Sequence, residues 1–306
     1  MTPRYEFAVV STGTGSRKDW TDLARRCEDL GYSALYVTDH VNQELAPIPA
    51  LAAAAQVTAG LRLGTYVLAE SLRNPVVLLR ELATLDVLSD GRLDIGLGCG
   101  WLADDYSQTG ITMAPGRVRL TRLAALISLI KAAWAGEPHD HDDGTWTARV
   151  AAHSVPGLQR PHPPLLVGGG SPGTLRLAGR KADVVSLAPR AYQGDMDESD
   201  ATAASMDAKV ALVREAATGR AEPPHLNLLV WECFVLPRPE EILAVYARSL
   251  GCAPREVEQM PSLLIGSVPR LIELLEERRT RWGADRVTIP AAALESFAPV
   301  VAALRA

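Results

Sequence analysis

The sequence predicts one α/β domain over residues 1–306, a (β/α)8 TIM barrel with insertions after the fourth and sixth strands. Short apolar runs alternate with longer amphipathic runs along the chain, which is typical of parallel strands joined by crossover helices. Eight such units can be counted, and eight indicate a closed barrel. A length of 306 residues also suits one barrel of about 250 residues with insertions.

The expected elements follow from the spacing of apolar residues, with a period near two in strands and near 3.6 in helices. Strands are expected at residues 6–10, 33–38, 61–68, 93–98, 165–168, 183–187, 227–235 and 286–290. Helices are expected at residues 19–30, 49–59, 75–88, 117–135, 174–180, 203–217, 268–282 and 294–305. Gly31 and Gly60 end the first two helices, where a left-handed C-cap favours glycine.

Two segments interrupt the alternation of strands and helices. Residues 136–164 contain a polar tip and a proline-rich return with prolines at 156, 161, 163 and 164, which predicts an inserted hairpin or excursion. Residues 188–224 begin with an acidic loop before their helix. Neither segment predicts a separate domain. Because barrel chemistry lies at the carboxyl ends of the strands, long insertions there are candidate lids.

The composition favours a small-molecule substrate. The net charge of −5 comes without a strongly basic stripe, which argues against nucleic acid or an anionic membrane as the main partner. The four cysteines are scattered and form no CxxC pair, as expected of reduced thiols in the cytoplasm. No stretch approaches the 18 apolar residues of a membrane span. We therefore expect a cytoplasmic protein.

The glycine-rich segment GLGCGW, residues 96–101, ends the fourth strand. Glycines at alternate positions remove side chains from one face, so a flat ring could lie against bare backbone at Gly98 and Gly100. Alternatively, the glycines are needed only for close backbone packing. The spacing differs from the G-x-G-x-x-G of a dinucleotide site, which we exclude.

Charged residues follow the second and third strands. His40 could exchange a proton with a substrate, donate to a ring nitrogen or cap the next loop. Asp39 could take part in the chemistry or support that loop by accepting backbone N–H bonds. Arg73, beyond the third strand, could bind an anion or form an ion pair with an acid such as Glu70.

After the fifth strand, the turn Gly168-Gly169-Gly170-Ser171 leads into a helix that carries Arg176. Free N–H groups at a helix start, with a hydroxyl beside them, suit a phosphate, although a plain tight turn has the same sequence. The segment HDHDDG, residues 139–144, contains metal-ligand residue types but lies at an insertion tip, so we predict a solvated turn and no metal site.

Several motifs together resemble the bacterial luciferase-like monooxygenase superfamily. They are TDH at 38–40, GTYVL at 64–68, RNP at 73–75, GRLDIGLGCGW at 91–101, VGGG at 167–170 and LIGS at 264–267. The chain is most similar to the coenzyme F420-dependent oxidoreductase branch. That resemblance implies a deazaflavin ring in the barrel mouth, a hydride moved between its C5 and a substrate, and Asp39 and His40 as catalytic residues.

The resemblance also implies a coenzyme site. It places a non-proline cis peptide at Tyr66-Val67 beneath the ring, and the coenzyme phosphate at the turn of the fifth strand. The expected coenzyme-binding residues are Tyr66, Val67, Arg73, Gly98, Gly100, Trp101, Gly168, Gly169, Gly170 and Ser171. Arg176 and Arg190 are further cations that could offset the charge of a polyanionic coenzyme.

The chain departs from the sugar-phosphate dehydrogenases of this branch at two places. In those enzymes the glycine run ends in a catalytic glutamate, whereas this chain has Trp101 at that position. They also have a tryptophan beyond the acid-His pair, where this chain has the sequence VNQE at 41–44. Oxidation of glucose 6-phosphate is therefore not expected. Trp101 could stack on substrate or coenzyme, or pack beneath a lid.

Two other functions remain open at this point. One is an FMN-dependent monooxygenase supplied with reduced flavin by a separate reductase, which would use the flavin for oxygen chemistry. The other is a barrel that binds flavin without turnover. Related barrels also form homodimers through helices beside strands two to four, and the apolar helix at 49–59 could serve this purpose.

Overall fold

The computed structural model describes residues 5–13, 15–42, 45–144, 146–155, 157–192 and 194–305. Eight parallel strands close into a barrel, because the last strand in the sheet order pairs with the first. They are β1 (Glu6–Ser11), β2 (Ala34–Val37), β3 (Arg62–Thr65, continued by Leu68–Ala69), β4 (Leu93–Gly98), β5 (Leu165–Gly169), β6 (Val184–Leu187), β7 (His225–Leu229) and β8 (Ala284–Pro290). The predicted fold class is confirmed.

Helices surround this barrel. They are α1 (Arg17–Asp29), α2 (Pro47–Ala55), α3 (Pro75–Leu88), α4 (Ala103–Thr109), α5 (Gly116–Ala135), α6 (Pro172–Lys181), α7 (Ala203–Ala216), α8 (Glu240–Leu250), α9 (Pro254–Gln259), α10 (Val268–Trp282) and α11 (Leu294–Arg305). Short 3-10 turns cover Glu198–Asp200 and Ala291–Ala293. In the part of the chain that the structure describes, no helix is long and apolar enough to cross a membrane.

The main core lies between the strands and the helix layer. Leu35, Leu63, Ile95 and Val167 are fully buried there, and Leu82 of α3 belongs to the same cluster. Buried parallel strands covered by helices need apolar residues on their outer face, which explains the run of branched side chains in each strand. This core fixes the strand ends and so positions the residues at the barrel mouth.

The inside of the barrel is a second, smaller core. Its members are Ala8, Ala34, Tyr36, Tyr66, Leu166 and Val184. The rings of Tyr36 and Tyr66 are stacked, with their centroids 5.5 Å apart. The Tyr66 hydroxyl is hydrogen-bonded to Ser186 and accepts a bond of 2.8 Å from the Asn227 amide. Burial raises the pKa of Tyr66 to about 12, so its phenol stays neutral.

The predicted insertions differ in how closely they match the structure. The first is confirmed as a hairpin, with His139–Asp142 antiparallel to Thr147–Val150, while Pro156 lies outside the described residues. The second holds a short pair of strands, Ala191–Tyr192 and Asp195–Met196, before α7. Both insertions follow the expected strands.

A third insertion, between β7 and β8, is absent from the sequence-based prediction. The expected strand at 227–235 is wrong: β7 ends at Leu229, and Glu232–Val235 pairs with Leu263–Gly266 in a separate two-stranded sheet. Val230, the residue after β7, still donates its N–H to the Thr288 carbonyl of β8. The chain then turns away from the barrel sheet. The apolar run continues through both strands, so its periodicity does not show where the chain passes from the barrel into the second sheet. Helices α4, α8 and α9 were also not predicted.

Candidate functional site

Strand β3 is interrupted at the barrel mouth by a cis peptide between Tyr66 and Val67. The cis bond predicted from the resemblance is thus present. The interruption bulges toward β4, where a Cβ on Gly96 would overlap the Thr65 carbonyl oxygen and one on Gly98 would lie 2.6 Å from Cγ2 of Val67. These glycines are therefore needed for close packing against β3. Of the two explanations for the glycine spacing, the structure favours backbone packing over a surface for a flat ring.

The turn after β4 is held by neighbouring helices. Gly100 has a φ of +68°, and a Cβ there would overlap the hydroxyl of Tyr106 on α4. Nη1 of the buried Arg119 donates 2.7 Å to the Cys99 carbonyl. Burial raises the pKa of the Cys99 thiol to about 11, which leaves it a poor nucleophile at neutral pH.

Val67 forms an apolar platform at the base of the mouth. Its side chain packs on the core inside the barrel and lies against Gly98 of β4 and Gly168 of β5. A Cβ on Gly168 would come within 3.2 Å of Cγ1 of Val67. The Tyr66 side chain instead points into the barrel, so only its backbone belongs to this platform.

Asp39 and Arg73 form a two-pronged ion pair. The guanidinium nitrogens Nη1 and Nη2 donate at 2.6 and 2.7 Å to the two carboxylate oxygens of Asp39. Asp39 also accepts the backbone N–H of Ala69 at 3.2 Å and is 8% exposed. Asp39 therefore supports the loops that follow β2 and β3. The acid that Arg73 binds is Asp39 rather than Glu70, so its charge is already matched.

His40 is held by an acid that the sequence analysis did not single out. Its Nδ1 lies 2.8 Å from Oδ2 of Asp105, and Oδ1 of Asp105 accepts the backbone N–H of Val41 at 2.9 Å. Because a carboxylate only accepts, the Nδ1 atom carries a proton. Asp105 is 4% exposed. The Trp101 ring meets the imidazole edge-on, with centroids 5.8 Å apart.

The sequence contained a weak signal for Asp105. It lies in the first turn of α4, directly after the glycine-rich segment, but α4 is only seven residues long and was not predicted. The contact joins residues 65 positions apart in the chain. Sequence spacing alone does not show such a pair.

The turn after β5 leads into α6 at the same end of the barrel. Ser171 caps this helix by accepting the Thr174 N–H at 3.3 Å. A Cβ on Gly170 would overlap the carbonyl oxygen of Ala188, so glycine is required where the ends of β5 and β6 approach. Arg176 on α6 is exposed and has no ion-pair partner within the described ranges. The exposed Ser171, the helix start and Arg176 together suit a phosphate.

Other candidate residues have structural partners. Arg190 donates to Asp197 at 2.8 Å and lies 3.5 Å from Asp200, so its charge is matched. In the inserted hairpin, the His141 ring packs on Trp146 with centroids 4.1 Å apart. Outside the few positions that the structure does not describe, no group of three or more His, Cys, Asp or Glu residues could hold a metal ion.

Comparison with known sequences finds relatives with two coenzyme types. The model of the luciferase-like monooxygenases matches residues 5–254. An uncharacterised protein of Mycobacterium tuberculosis is 30% identical over 245 residues, which are 72% of this chain and 80% of that protein. An F420-dependent glucose-6-phosphate dehydrogenase of Beutenbergia cavernae is 34% identical over 165 residues, 51% of this chain and 48% of that one. The oxygenase component of a flavin-dependent trigonelline monooxygenase from Acinetobacter baylyi is 31% identical over 175 residues, 55% and 47% of the two chains.

Solved structures with the same fold cover nearly the whole chain. Monooxygenase RslO1 from Streptomyces bottropensis has a TM-score of 0.74 at 21% identity and covers 98% of this chain and 100% of that one. A coenzyme F420-dependent tetrahydromethanopterin reductase from Methanopyrus kandleri has a TM-score of 0.73 at 16% identity, with 98% and 99% covered. At these identities the likeness establishes the fold.

Proposed function

The chain belongs to the luciferase-like monooxygenase family, and we propose that it is an oxidoreductase that moves a hydride between coenzyme F420 and a small organic substrate. The observation that carries this proposal is the pairing of His40 with the buried Asp105 at the barrel mouth. A fixed imidazole can exchange a proton with a substrate oxygen as the hydride is transferred. The similarity to an F420-dependent dehydrogenase supports the choice of coenzyme.

The residues at the mouth fit this coenzyme. Val67 offers an apolar surface for one face of a flat ring, and Ser171 with the start of α6 offers donors for a phosphate. Arg176 adds a positive charge on the same helix. The deazaflavin would supply the hydride at its C5, while His40 would hold or release the accompanying proton.

We propose a substrate other than a sugar phosphate. Trp101 stands beside His40, at the position where the resemblance to the sugar-phosphate dehydrogenases implies a glutamate. An indole offers a large apolar face and one N–H donor, and it cannot exchange protons as a carboxylate does. The proton chemistry would therefore fall to His40, and the substrate would contact an apolar wall.

An FMN-dependent monooxygenase is the second candidate. The similarity to the oxygenase component of a flavin-dependent monooxygenase favours it. A Val67 platform and a phosphate site at α6 serve FMN equally well, because both coenzymes contain a three-ring system and a phosphate. This function would need a separate reductase to supply reduced flavin. A flavin-binding barrel without turnover would bind the coenzyme and show no dependence on substrate.

Reoxidation of the reduced coenzymes separates these functions. The protein would be mixed without oxygen with reduced F420 and a panel of small ketones, aldehydes and unsaturated compounds. Reoxidation that needs both the protein and an acceptor supports the hydride-transfer proposal. Product formation that needs reduced FMN and oxygen supports the monooxygenase, and no reaction with either set supports binding without turnover.

A further inference from the structure

A cavity of about 290 Å³ lies outside the barrel, between the loop after β3, helix α5 and the inserted hairpin. Its walls include the apolar side chains of Leu126 and Trp146 and the polar side chains of Glu70, Ser71, Arg73 and Arg122. The volume is near the lower end of small-molecule sites, about 300 to 1,000 Å³. The proposed oxidoreductase function does not use this space.

Two side chains that line this cavity each have a shielded polar atom without a hydrogen-bond partner among the described residues. Glu70 is 7% exposed, and its Oε1 accepts no hydrogen bond from the described residues; Nε of Arg122 donates none to them. The two side chains form no ion pair with each other within the described ranges. Most buried polar groups in proteins are hydrogen-bonded, and leaving one unpaired is unfavourable. A ligand that draws these two side chains toward the cavity would supply the missing partners.

The charges around Glu70 favour an anionic ligand. Burial raises the pKa of Glu70 to about 7. The Ser71 hydroxyl and the guanidinium groups of Arg122 and Arg119 on α5 lower this pKa and so limit the rise. Arg73 is matched by Asp39. The other groups near Glu70 are the Cys99 thiol and the Tyr106 phenol, which is hydrogen-bonded to Ser71. Glu70 therefore keeps its proton at a higher pH than an exposed glutamate does, and it can donate that proton in a hydrogen bond.

We propose that this cavity binds a small carboxylate with an apolar body. Arg122 binds the carboxylate, Glu70 in its protonated form donates a hydrogen bond to it, and the apolar body lies against Leu126 and Trp146. The amino end of α3 at Pro75 adds a favourable positive potential. The ligand and Glu70 share a proton, so binding takes up a proton from solution.

Calorimetric titration with sodium benzoate tests this site. Benzoate carries the required carboxylate on a compact apolar ring and stays ionised between pH 6 and pH 8. Because Glu70 must be protonated, we expect affinity about tenfold weaker at pH 8 than at pH 6. Titrations in two buffers with different ionisation enthalpies should show proton uptake near neutral pH.

Variants assign the effect to the two residues. Glu70→Gln mimics the protonated acid, so it should bind benzoate with an affinity that no longer changes with pH. Arg122→Gln should weaken binding by tenfold or more, whereas Arg117→Gln, which changes an exposed arginine on the same helix, should leave it unchanged. Circular dichroism would confirm that each variant is folded.

Several results would overturn this proposal. They are the absence of saturable benzoate binding to the unmodified chain, a pH dependence that persists in Glu70→Gln, and full affinity in Arg122→Gln. Loss of benzoate binding in the presence of saturating FMN would place benzoate in the barrel mouth and would also overturn it. If Arg122→Gln does not fold, the comparison of Glu70→Gln with the unmodified chain decides the question.

Discussion

Asp105 contacts His40 and Asp39 precedes it in the chain, yet the two acids have different partners. Asp39 binds Arg73 through both carboxylate oxygens, while Asp105 binds the imidazole itself. The motif at 38–40 predicted an acid beside the histidine, but the partner of each acid depends on how distant loops meet. We therefore assign Asp105 as the positioning residue for His40 and Asp39 as a support for the loops.

Replacing Asp105 with Asn should lower turnover once a substrate is known. The amide can donate as well as accept, so it no longer holds the imidazole in one tautomer and one orientation. We expect a loss of roughly tenfold or more in kcat, with coenzyme affinity nearly unchanged. The control is Asp104→Asn, an exposed neighbour in the same helix. A kcat of the Asp105→Asn protein equal to that of the unmodified chain would exclude this role.

At the scale of elements, the bulge of β3 and the glycines of β4 are complementary in shape. The spacing of glycines in β4 was compatible with a ligand-facing surface or with close packing, and the sequence alone did not decide between them. The deciding feature is the bulge of β3, which places Thr65 and Val67 against those glycines. The resemblance to a known family predicted the cis peptide at this place, and composition and periodicity contain no signal for it.

Alanine substitutions should separate the roles of the two β4 glycines. Gly96→Ala would push against the Thr65 backbone, which cannot move easily, and we expect a loss of about 3 kcal/mol in the free energy of unfolding. Gly98→Ala would displace the Val67 side chain, costing about 1 to 2 kcal/mol and weakening coenzyme binding. Denaturant unfolding and coenzyme titration measure both effects.

Gly60→Ala is the control for these substitutions. Gly60 is not the left-handed cap expected from the sequence, because α2 ends at Ala55 and Gln56 caps it. A Cβ at Gly60 would meet only Glu28, at an ordinary contact distance of 3.7 Å. We expect little change in its unfolding free energy. Stability of Gly96→Ala equal to that of Gly60→Ala would contradict the packing role of the glycines.

Helix α6 gives a second prediction at this scale. Arg176→Gln should weaken the binding of a phosphate-bearing coenzyme by about tenfold, because a charge-assisted hydrogen bond is lost. Arg180→Gln removes the same charge one turn farther from the helix start and should have a smaller effect. Binding would be followed by coenzyme fluorescence. Equal affinities for the two variants would argue against a phosphate contact at Arg176.

At the scale of the whole molecule, the alternation of strands and helices was enough to predict the barrel. It did not predict the insertion between β7 and β8, because the apolar run at 227–235 continues from one sheet into another. That insertion has its own small core, with Val257 and Ile265 buried. Local patterns indicate which segments are apolar, whereas the packing partner of each segment is set by the fold.

We propose that two copies of this chain associate through α2 and α3. A groove of about 500 Å³ lies between these helices, beside the exposed side chains of Val77 (54%) and Leu88 (49%). Arg80 and Glu81 also line it, and neither has an ion-pair partner among the residues described. In a two-fold contact, each Arg80 can face a Glu81 of the other copy, which makes the surface self-complementary.

Light scattering after size-exclusion chromatography tests this association. The unmodified chain should have the mass of a dimer, and Val77→Glu should have the mass of a monomer, because a buried unpaired carboxylate opposes association. Val245→Glu changes an exposed valine on α8 and should leave the dimer intact. A monomeric mass for the unmodified chain would contradict the proposal.

Equilibrium titration of the purified protein with coenzyme F420 and with FMN shows which coenzyme the barrel mouth binds. Ring fluorescence reports binding of either coenzyme. We expect saturable binding of both, with a clear preference for F420 and a loss of affinity in the Gly98→Ala protein. A clear preference for FMN would contradict the hydride-transfer proposal, and binding of neither coenzyme would contradict the assignment of the barrel mouth.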